Sequence, residues 1–250
     1  TVRIPYAIGN MNNMNNMNNM NNMPLADSSI EAALVPEVER LVRLSVHDVV
    51  GSTNDVVREV INERTIHGSV ALAEAQTLGR GRRGRRWHSP AGANLYCSIA
   101  WRFECSLSKL AGLSLAVGAI LTEILSVRYG VETQLKWPND IYYRGRKMGG
   151  VLVEVPGGFD SRPTAVIGVG LNVNMPKDIK LDTNRPWTDL SVAVGGAVDR
   201  NKLAAHVING LISGFQCFEI EGLAPWGAEW DRRDLLFGRS VTIDGNPPII

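Results

Sequence analysis

Between Thr133 and Val173 four apolar runs follow one another with little chain between them: Thr133–Trp137, Ile141–Tyr143, Met148–Val155 and Thr164–Val173. The links carry Pro138-Asn139-Asp140, Arg144-Gly145-Arg146 and Gly157-Gly158, all of them turn chemistry. A parallel pair needs a crossover of about a dozen residues or more, so strands this closely spaced are expected to pair antiparallel. That argues against a doubly wound α/β sheet. It predicts an α+β fold with a mixed, mostly antiparallel sheet flanked by helices.

Other elements fit around this block. Leu44–Val50, Ser69–Gln76 and Asn94–Trp101 read as strands. Ser52 or Thr53 is placed to cap a helix running to about Glu63, with Val56, Val57, Val60 and Ile61 on one face. Lys109–Arg128 repeats apolar residues at helical spacing, and helices return at Asp199–Glu221 and Pro225–Leu235. At 250 residues and 44% hydrophobic content the chain can bury a large core. The longest apolar stretch, Leu110–Leu121, falls short of the roughly 20 residues a membrane span needs. Cys97, Cys105 and Cys217 form no CxxC and have no His at ligand spacing, which argues against a disulfide framework and a zinc site. With no secretory leader, the reading is a cytoplasmic protein.

The ends read differently. Met11, Met14, Met17, Met20 and Met23 are separated by Asn pairs, so residues 1–35 read as a low-complexity leader or expression scar. The packed domain is expected over 36–237. From Gly238 the text turns strand-like at Ser240–Ile243, the opening of a small β-module over 238–250.

The net charge is only +1, which argues against a surface built throughout for nucleic acid. Yet 20 of the 26 basic residues are Arg and five fall within residues 79–88, so a local anion site is expected. In Gly79-Arg80-Gly81-Arg82-Arg83-Gly84-Arg85-Arg86-Trp87-His88 the glycines allow close backbone approach and the guanidinium forks suit phosphate or carboxylate. Trp87 offers a flat face for a base. A solvated basic loop or a nucleic-acid patch is the alternative, but this run lies between two strands rather than in a tail. It matches neither the Walker pattern nor the dinucleotide fingerprint.

Three further segments stand out. Lys136-Trp137-Pro138-Asn139-Asp140 holds a Lys at a strand end before a stiff turn, where an ammonium could bring two anions together; an exposed turn Lys is the plainer reading. Lys147-Met148-Gly149-Gly150-Val151-Leu152-Val153-Glu154 opens an apolar strand with paired glycines, a site of close approach or a bulge. Gly168-Val169-Gly170-Leu171-Asn172-Val173-Asn174 delivers two Asn to one side, as ligand contacts or as a strand end.

Together with Ser52-Thr53-Asn54 and Gln76, these segments in this order make the chain resemble the biotin–protein ligases over about Val46 to Ile243, and within them the bacterial type that doubles as a biotin-operon repressor. The resemblance implies two steps. Biotin is activated by ATP as biotinyl-5′-AMP, and the biotinyl group then passes to a lysine of a carboxylase's biotin carboxyl carrier domain. It also implies roles. Lys136 and Arg82 are the expected catalytic residues, with Lys136 bridging carboxylate and α-phosphate and Arg82 retaining the intermediate. Ser52, Thr53, Asn54, Gln76, Arg80, Gly81, Arg82, Lys136 and Gly149 are expected around biotin. Arg80, Arg83, Trp87, Asn139, Lys147 and Asn172 are expected around ATP. Mg²⁺ is expected with ATP, held mainly by phosphate and water.

Two departures from the family pattern bear on partners. The tract ahead of Pro36 does not read as a helix-turn-helix domain, so operator binding is not expected; no membrane partner is either. Only the first strand of the family's C-terminal SH3-like module is expected here. A homodimer through sheet edges is left open. A nucleic-acid-binding regulatory module and a lipoate–protein ligase are the competing readings, and the Arg-rich loop with Lys136–Asp140 favours biotin over lipoate.

Overall fold

Among the described residues seven strands form, most of them rich in apolar residues: Arg43–Val50 (β1), Ser69–Gln76 (β2), Asn94–Arg102 (β3), Gln134–Lys136 (β4), Asp140–Tyr143 (β5), Arg146–Glu154 (β6) and Thr164–Asn172 (β7). The computed structural model describes residues 23–60, 67–157, 162–179, 181, 183 and 185–240. The Met-Asn tract up to residue 22, the expected helix end at 61–63, Gly158 and residues 241–250 of the expected β-module lie outside that description.

The strands form one sheet in the order β1-β2-β3-β7-β6-β5-β4. Only β1 and β2 pair parallel; every other pairing is antiparallel. The sheet is therefore mixed and mostly antiparallel, as the closely spaced runs imply.

The helices are Asp27–Glu31 (α1), Pro36–Glu39 (α2), Thr53–Glu59 (α3), Leu113–Tyr129 (α4), Leu190–Val194 (α5), Arg200–Glu221 (α6) and Gly227–Arg233 (α7). α4 begins four residues later than its apolar spacing suggests. Leu107–Leu110 forms a 3-10 turn, and Gly112 at φ 89° breaks the chain before Leu113. The last helix is likewise split, with a 3-10 turn at Ala224–Trp226 ahead of α7. Beyond α7, Leu235 N donates to Leu135 O at 2.8 Å, tying this end of the chain to β4.

α4 and α6 cover one face of the sheet, where Leu72, Leu95, Ile99, Val169 and Leu171 meet Val117, Ile120, Leu121, Leu211 and Phe215 in one core. The segment Leu107–Tyr129 and α6 are long and apolar enough to cross a membrane, but most of each apolar window is buried in this core. The packed chain starts earlier than the Pro36 boundary expected from sequence. Leu25, Ile30 and Leu34 are buried. Asn201 and Asn209 of α6 accept from Ala26 N (2.9 Å) and Val35 N (3.1 Å).

The opposite face is only partly covered. α3 packs Val57 on Ala71, Ala100 and Val166, with Val56 at the margin. Further along the same face the sheet presents Gly168 opposite Leu152 and Gly170 opposite Gly150. Side-chain alternation puts these glycines side by side, and their missing Cβ atoms leave a trough.

Candidate active site

The trough is the floor of a cavity of about 440 Å³. A Cβ at Gly168 would overlap Asn54 Oδ1, and one at Gly170 would lie 2.7 Å from Trp87 Cε2. Glycine at these two positions thus lets Asn54 and Trp87 rest directly on the sheet.

One end of the cavity is neutral and polar. Ser52, Thr53 and Asn54 come from the start of α3 and Gln76 from the end of β2. Ser52 is the N-cap but makes no side-chain cap hydrogen bond, so the capping expected from sequence is one of backbone position only. Gln76 Oε1 accepts from Thr53 N at 2.9 Å and from Thr53 Oγ1 at 3.2 Å, while Gln76 Nε2 donates to Ser89 Oγ at 2.9 Å. Asn54 Nδ2 donates to Glu154 Oε2 at 2.7 Å, and Ser98 Oγ sits 2.6 Å from Asn54 Oδ1. These buried amides and hydroxyls are held in fixed orientations, which suits recognition of a neutral polar ring.

The Arg-rich loop forms one wall. Gly81 N donates to Arg85 O at 2.7 Å and Trp87 N to Gly79 O at 2.8 Å, so the loop folds back on itself. Its tip is a 3-10 turn at Arg82–Gly84 with Arg83 at φ 58°. Arg80 points its guanidinium at Asp55, with two contacts of 2.6 Å. That fork holds the Asp55 carboxyl below its ordinary pKa and raises that of Arg80. Arg82 Nη1 reaches Asn139 Oδ1 at 3.4 Å.

At the far end Lys147 Nζ lies 2.6 Å from Asp140 Oδ1 and 5.4 Å from the centroid of the Trp87 ring. Trp87 Nε1 is buried without a hydrogen-bond partner among the described residues. Asn172 lines the cavity while its amide donates to Thr188 O at 3.0 Å. Among the described residues the lining cations are Arg80, Arg82, Arg85, Arg86, Lys147 and Arg185, and the lining carboxylate is Asp140. Such a wall attracts anions, and low dielectric strengthens the attraction.

The cavity brings together Ser52, Thr53, Asn54, Gln76, Arg80, Gly81, Arg82, Trp87, Asn139, Lys147 and Asn172 among the residues singled out from sequence. It leaves out Lys136, Arg83 and Gly149. Lys136 sits on β4, two strands from β6, with its Nζ over the Tyr142 ring at 5.7 Å. It stands opposite Asp140 and in line with Gly150 and Gly170, so it lies on the trough's side of the sheet just beyond the lining. Arg83 caps the loop tip outside the cavity. Gly149 faces the covered side, where a Cβ would stand 2.9 Å from Gly170 O; its close approach is to β7, not to a ligand.

Sequence reasoning passed over Arg185 and Trp187, which also line the cavity. Their segment is strapped to β6 by Lys147 N donating to Pro186 O (3.0 Å) and Thr188 N to Lys147 O (2.9 Å). The alternation Thr183, Arg185, Trp187 was the available signal. Asp140, Arg85, Arg86 and His88 stand inside quoted motifs without a role assigned to them.

The Biotin/lipoate A/B protein ligase family pattern matches residues 46–174, a stretch from within β1 to just past β7 that holds every strand under the cavity. The chain belongs to that family. It is 40% identical over 200 residues to the Bifunctional ligase/repressor BirA of Escherichia coli (strain K12), covering 80% of this chain. The chain spans 62% of that relative's length. It is 36% identical to the Biotin--[acetyl-CoA-carboxylase] ligase of Mycobacterium tuberculosis, over 88% of this chain and 82% of the relative. Among solved structures, the biotin protein ligase from Aquifex aeolicus in complex with biotin and ATP superposes with a TM-score of 0.70 at 28% identity, covering 83% of this chain and 84% of that one. The family pattern stops at residue 174, so the Arg185–Trp187 wall of the cavity lies beyond it.

Proposed function

We propose that this chain is an ATP-dependent biotin–protein ligase that forms biotinyl-5′-AMP and delivers the biotinyl group to a lysine of a carboxylase carrier domain. The observation that carries this reading is the layout of one continuous cavity, with fixed neutral hydrogen-bonding groups at one end and clustered cations at the other. A relative and a solved structure named as biotin ligases support the same reading.

In this assignment Ser52, Thr53, Asn54 and Gln76 receive the ureido ring, whose burial without partners would cost about 1–3 kcal/mol per polar group. The carboxylate then points along the trough toward Lys147. In the first step a carboxylate oxygen attacks the α-phosphorus, the bond to the β-phosphate oxygen breaks, and pyrophosphate leaves. Both reactants are anions, so positioning and charge neutralisation carry the catalysis. In the second step an amine attacks the acyl carbon, AMP leaves, and the nitrogen gives up its proton.

The bridging ammonium expected at Lys136 is assigned here to Lys147, which lines the cavity beside Trp87. Arg82, on the exposed loop tip, is positioned to close over the intermediate. Trp87 and Trp187 offer faces on the nucleotide side. ATP enters with its Mg²⁺. Among the described residues no group of three or more His, Cys, Asp or Glu could hold a metal, and Asp140 is paired with Lys147. The ion is expected to be held mainly by phosphate and water. The carrier domain, a cytoplasmic location and any pairing of chains belong to this proposal as well.

The test is biotin-dependent exchange of labelled pyrophosphate into ATP, run beside lipoate in place of biotin. Lys147→Ala is expected to slow exchange by about 10²–10³-fold, the scale of losing one stabilising charge contact. Lys136→Ala should stay within a few-fold of the parent. No biotin-dependent exchange would defeat the ligase reading, and equal exchange with lipoate would move it to the sister activity. Loss confined to Lys136→Ala would return the bridging role to Lys136.

A further inference from the structure

The Arg-rich loop is tied down unevenly. At its base, Arg80 forms the two-contact fork with Asp55, and its Nη2 lies 3.5 Å from Glu154 Oε2. Glu154 in turn accepts from Asn54 Nδ2 at 2.7 Å and pairs with Arg58 Nη2 at 3.1 Å. The returning strand of the loop is seated too, by an Arg80–Arg86 β-bridge and by the indole of Trp87 on Gly170. At the exposed tip, Arg82 reaches Asn139 at 3.4 Å.

Asp55 follows directly on Thr53 and Asn54 in the first turn of α3, so one rigid helix start carries both the neutral pocket and the loop anchor. A bidentate Arg–carboxylate pair resists both translation and rotation. We propose that Asp55 is a positioning residue: its carboxylate fixes Arg80 and so sets where the loop enters the cavity, leaving the 82–85 tip as the part that moves. The guanidinium of Arg80 is then a strut, and the arginines beyond it make the contacts with bound anions. The kinetic half of this inference rests on the ligase reading; the hinge itself does not.

The experiment uses the full chain without ligand, under single-hit trypsin digestion with mass-spectrometric mapping of first cuts. Within the loop, the first cuts in the parent protein are expected after Arg82, Arg83 and Arg85, with Arg86 held by its bridge and Arg80 shielded by its fork. Asp55→Asn, which keeps the shape and removes the charge, is expected to raise first cuts after Arg80 by about tenfold, the scale of one lost charge-assisted contact. Asp55→Glu, which can rebuild the fork, should restore shielding. Melting curves identify any variant that fails to fold, and Asp55→Glu keeps the test open in that case.

In pyrophosphate exchange at saturating ATP, Asp55→Asn should raise the biotin KM by about tenfold with kcat changed less. A purely structural defect would instead reduce the active fraction and leave KM alone. Rapid cutting after Arg80 in the parent, or an unchanged pattern in Asp55→Asn, would overturn the hinge. A lower biotin KM in Asp55→Asn would show that Asp55 competes for the guanidinium and would overturn the positioning role. Absence of exchange in the parent would sink the ligase reading and leave the proteolytic result to decide the hinge.

Discussion

At single residues, absent atoms matter as much as present ones. Gly170 carries Trp87 on its bare Cα, and a methyl there would press into the indole at 2.7 Å. Gly170→Ala is expected to cost about 1–3 kcal/mol in urea unfolding, the usual scale of overpacking. It should also shift Trp87 fluorescence and weaken ATP binding more than biotin binding, since the indole faces Lys147; equal weakening of the two would refute that placement. Arg82→Gly should let biotinyl-AMP escape and label bystander lysines, and equal labelling by parent and variant would remove the retaining role. The lysine assignment shows where single-residue legibility ends. Lys136 and Lys147 each stand at a strand terminus beside turn chemistry, so local text does not distinguish them. The register puts Lys136 opposite Asp140, in line with Gly150 and Gly170, while Lys147 lines the cavity itself, so the exchange assay on the two alanine variants decides between them. Ser52, Thr53, Asn54 and Gln76 were legible because a helix start beside a strand end leaves few directions for their side chains.

At the scale of elements, the strands were legible from their spacing and turns, and all seven form where apolar runs lie between turn residues. Helix starts were less so. Apolar spacing continues through Leu110, but Gly112 in the left-handed region ends the turn there. The opening strap at 25–35 was missed because Leu25, Ile30 and Leu34 are too sparse to show a period, and α6 supplies the partners that hold it. Ile30 is fully buried, so Ile30→Ala should lower unfolding free energy by about 2–5 kcal/mol, while a loss under about 0.5 kcal/mol would detach the strap from the core. The α4–α6 contact also carries a pH response. His206 of α6 meets Tyr129 of α4 at 3.2 Å. Burial pushes its imidazole below the usual 6.5; Arg128 and Lys202 push the same way, and Asp199 opposes them. The folded state then binds this proton less readily than the unfolded chain. The resulting stability is complete above about pH 6.5 and is lost as pH falls through the lowered folded value. Between pH 7.5 and 5, His206→Asn should show a shallower loss of stability than the parent. His67, lowered mainly by burial, should keep some of the slope in place. Identical slopes would exclude His206.

Across the whole molecule, the sheet separates two tasks. One face is closed by α4 and α6 and supplies the core; the other is left open by glycines and lined with charge. The cavity lies on the face away from the α4–α6 core, so the cost of ligand binding is expected to fall on the loop and the lining cations. Unoccupied, those cations repel one another across a cavity of about 440 Å³. An anion bound there is expected to relieve that repulsion. On the proposed ligase reading, biotin carboxylate and ATP phosphate would repel each other in the same trough, whereas a non-hydrolysable biotinyl-AMP mimic joins the two halves with less charge. Each ligand alone at about 100 times its Kd should stabilise the fold by about 2.7 kcal/mol. At matched concentration, the mimic should bind more tightly than the product of the two separate affinities allows, with the excess falling as salt rises from 50 to 300 mM. Biotin alone should be nearly insensitive to that salt change, because its ring is held by neutral groups, while ATP should weaken with it. Titration calorimetry of the three ligands at both salt levels decides the matter. Strictly additive free energies would mean that the neutral and cationic ends act as two independent sites, and a steep salt dependence for biotin would move its binding from the Thr53–Gln76 end to the arginines.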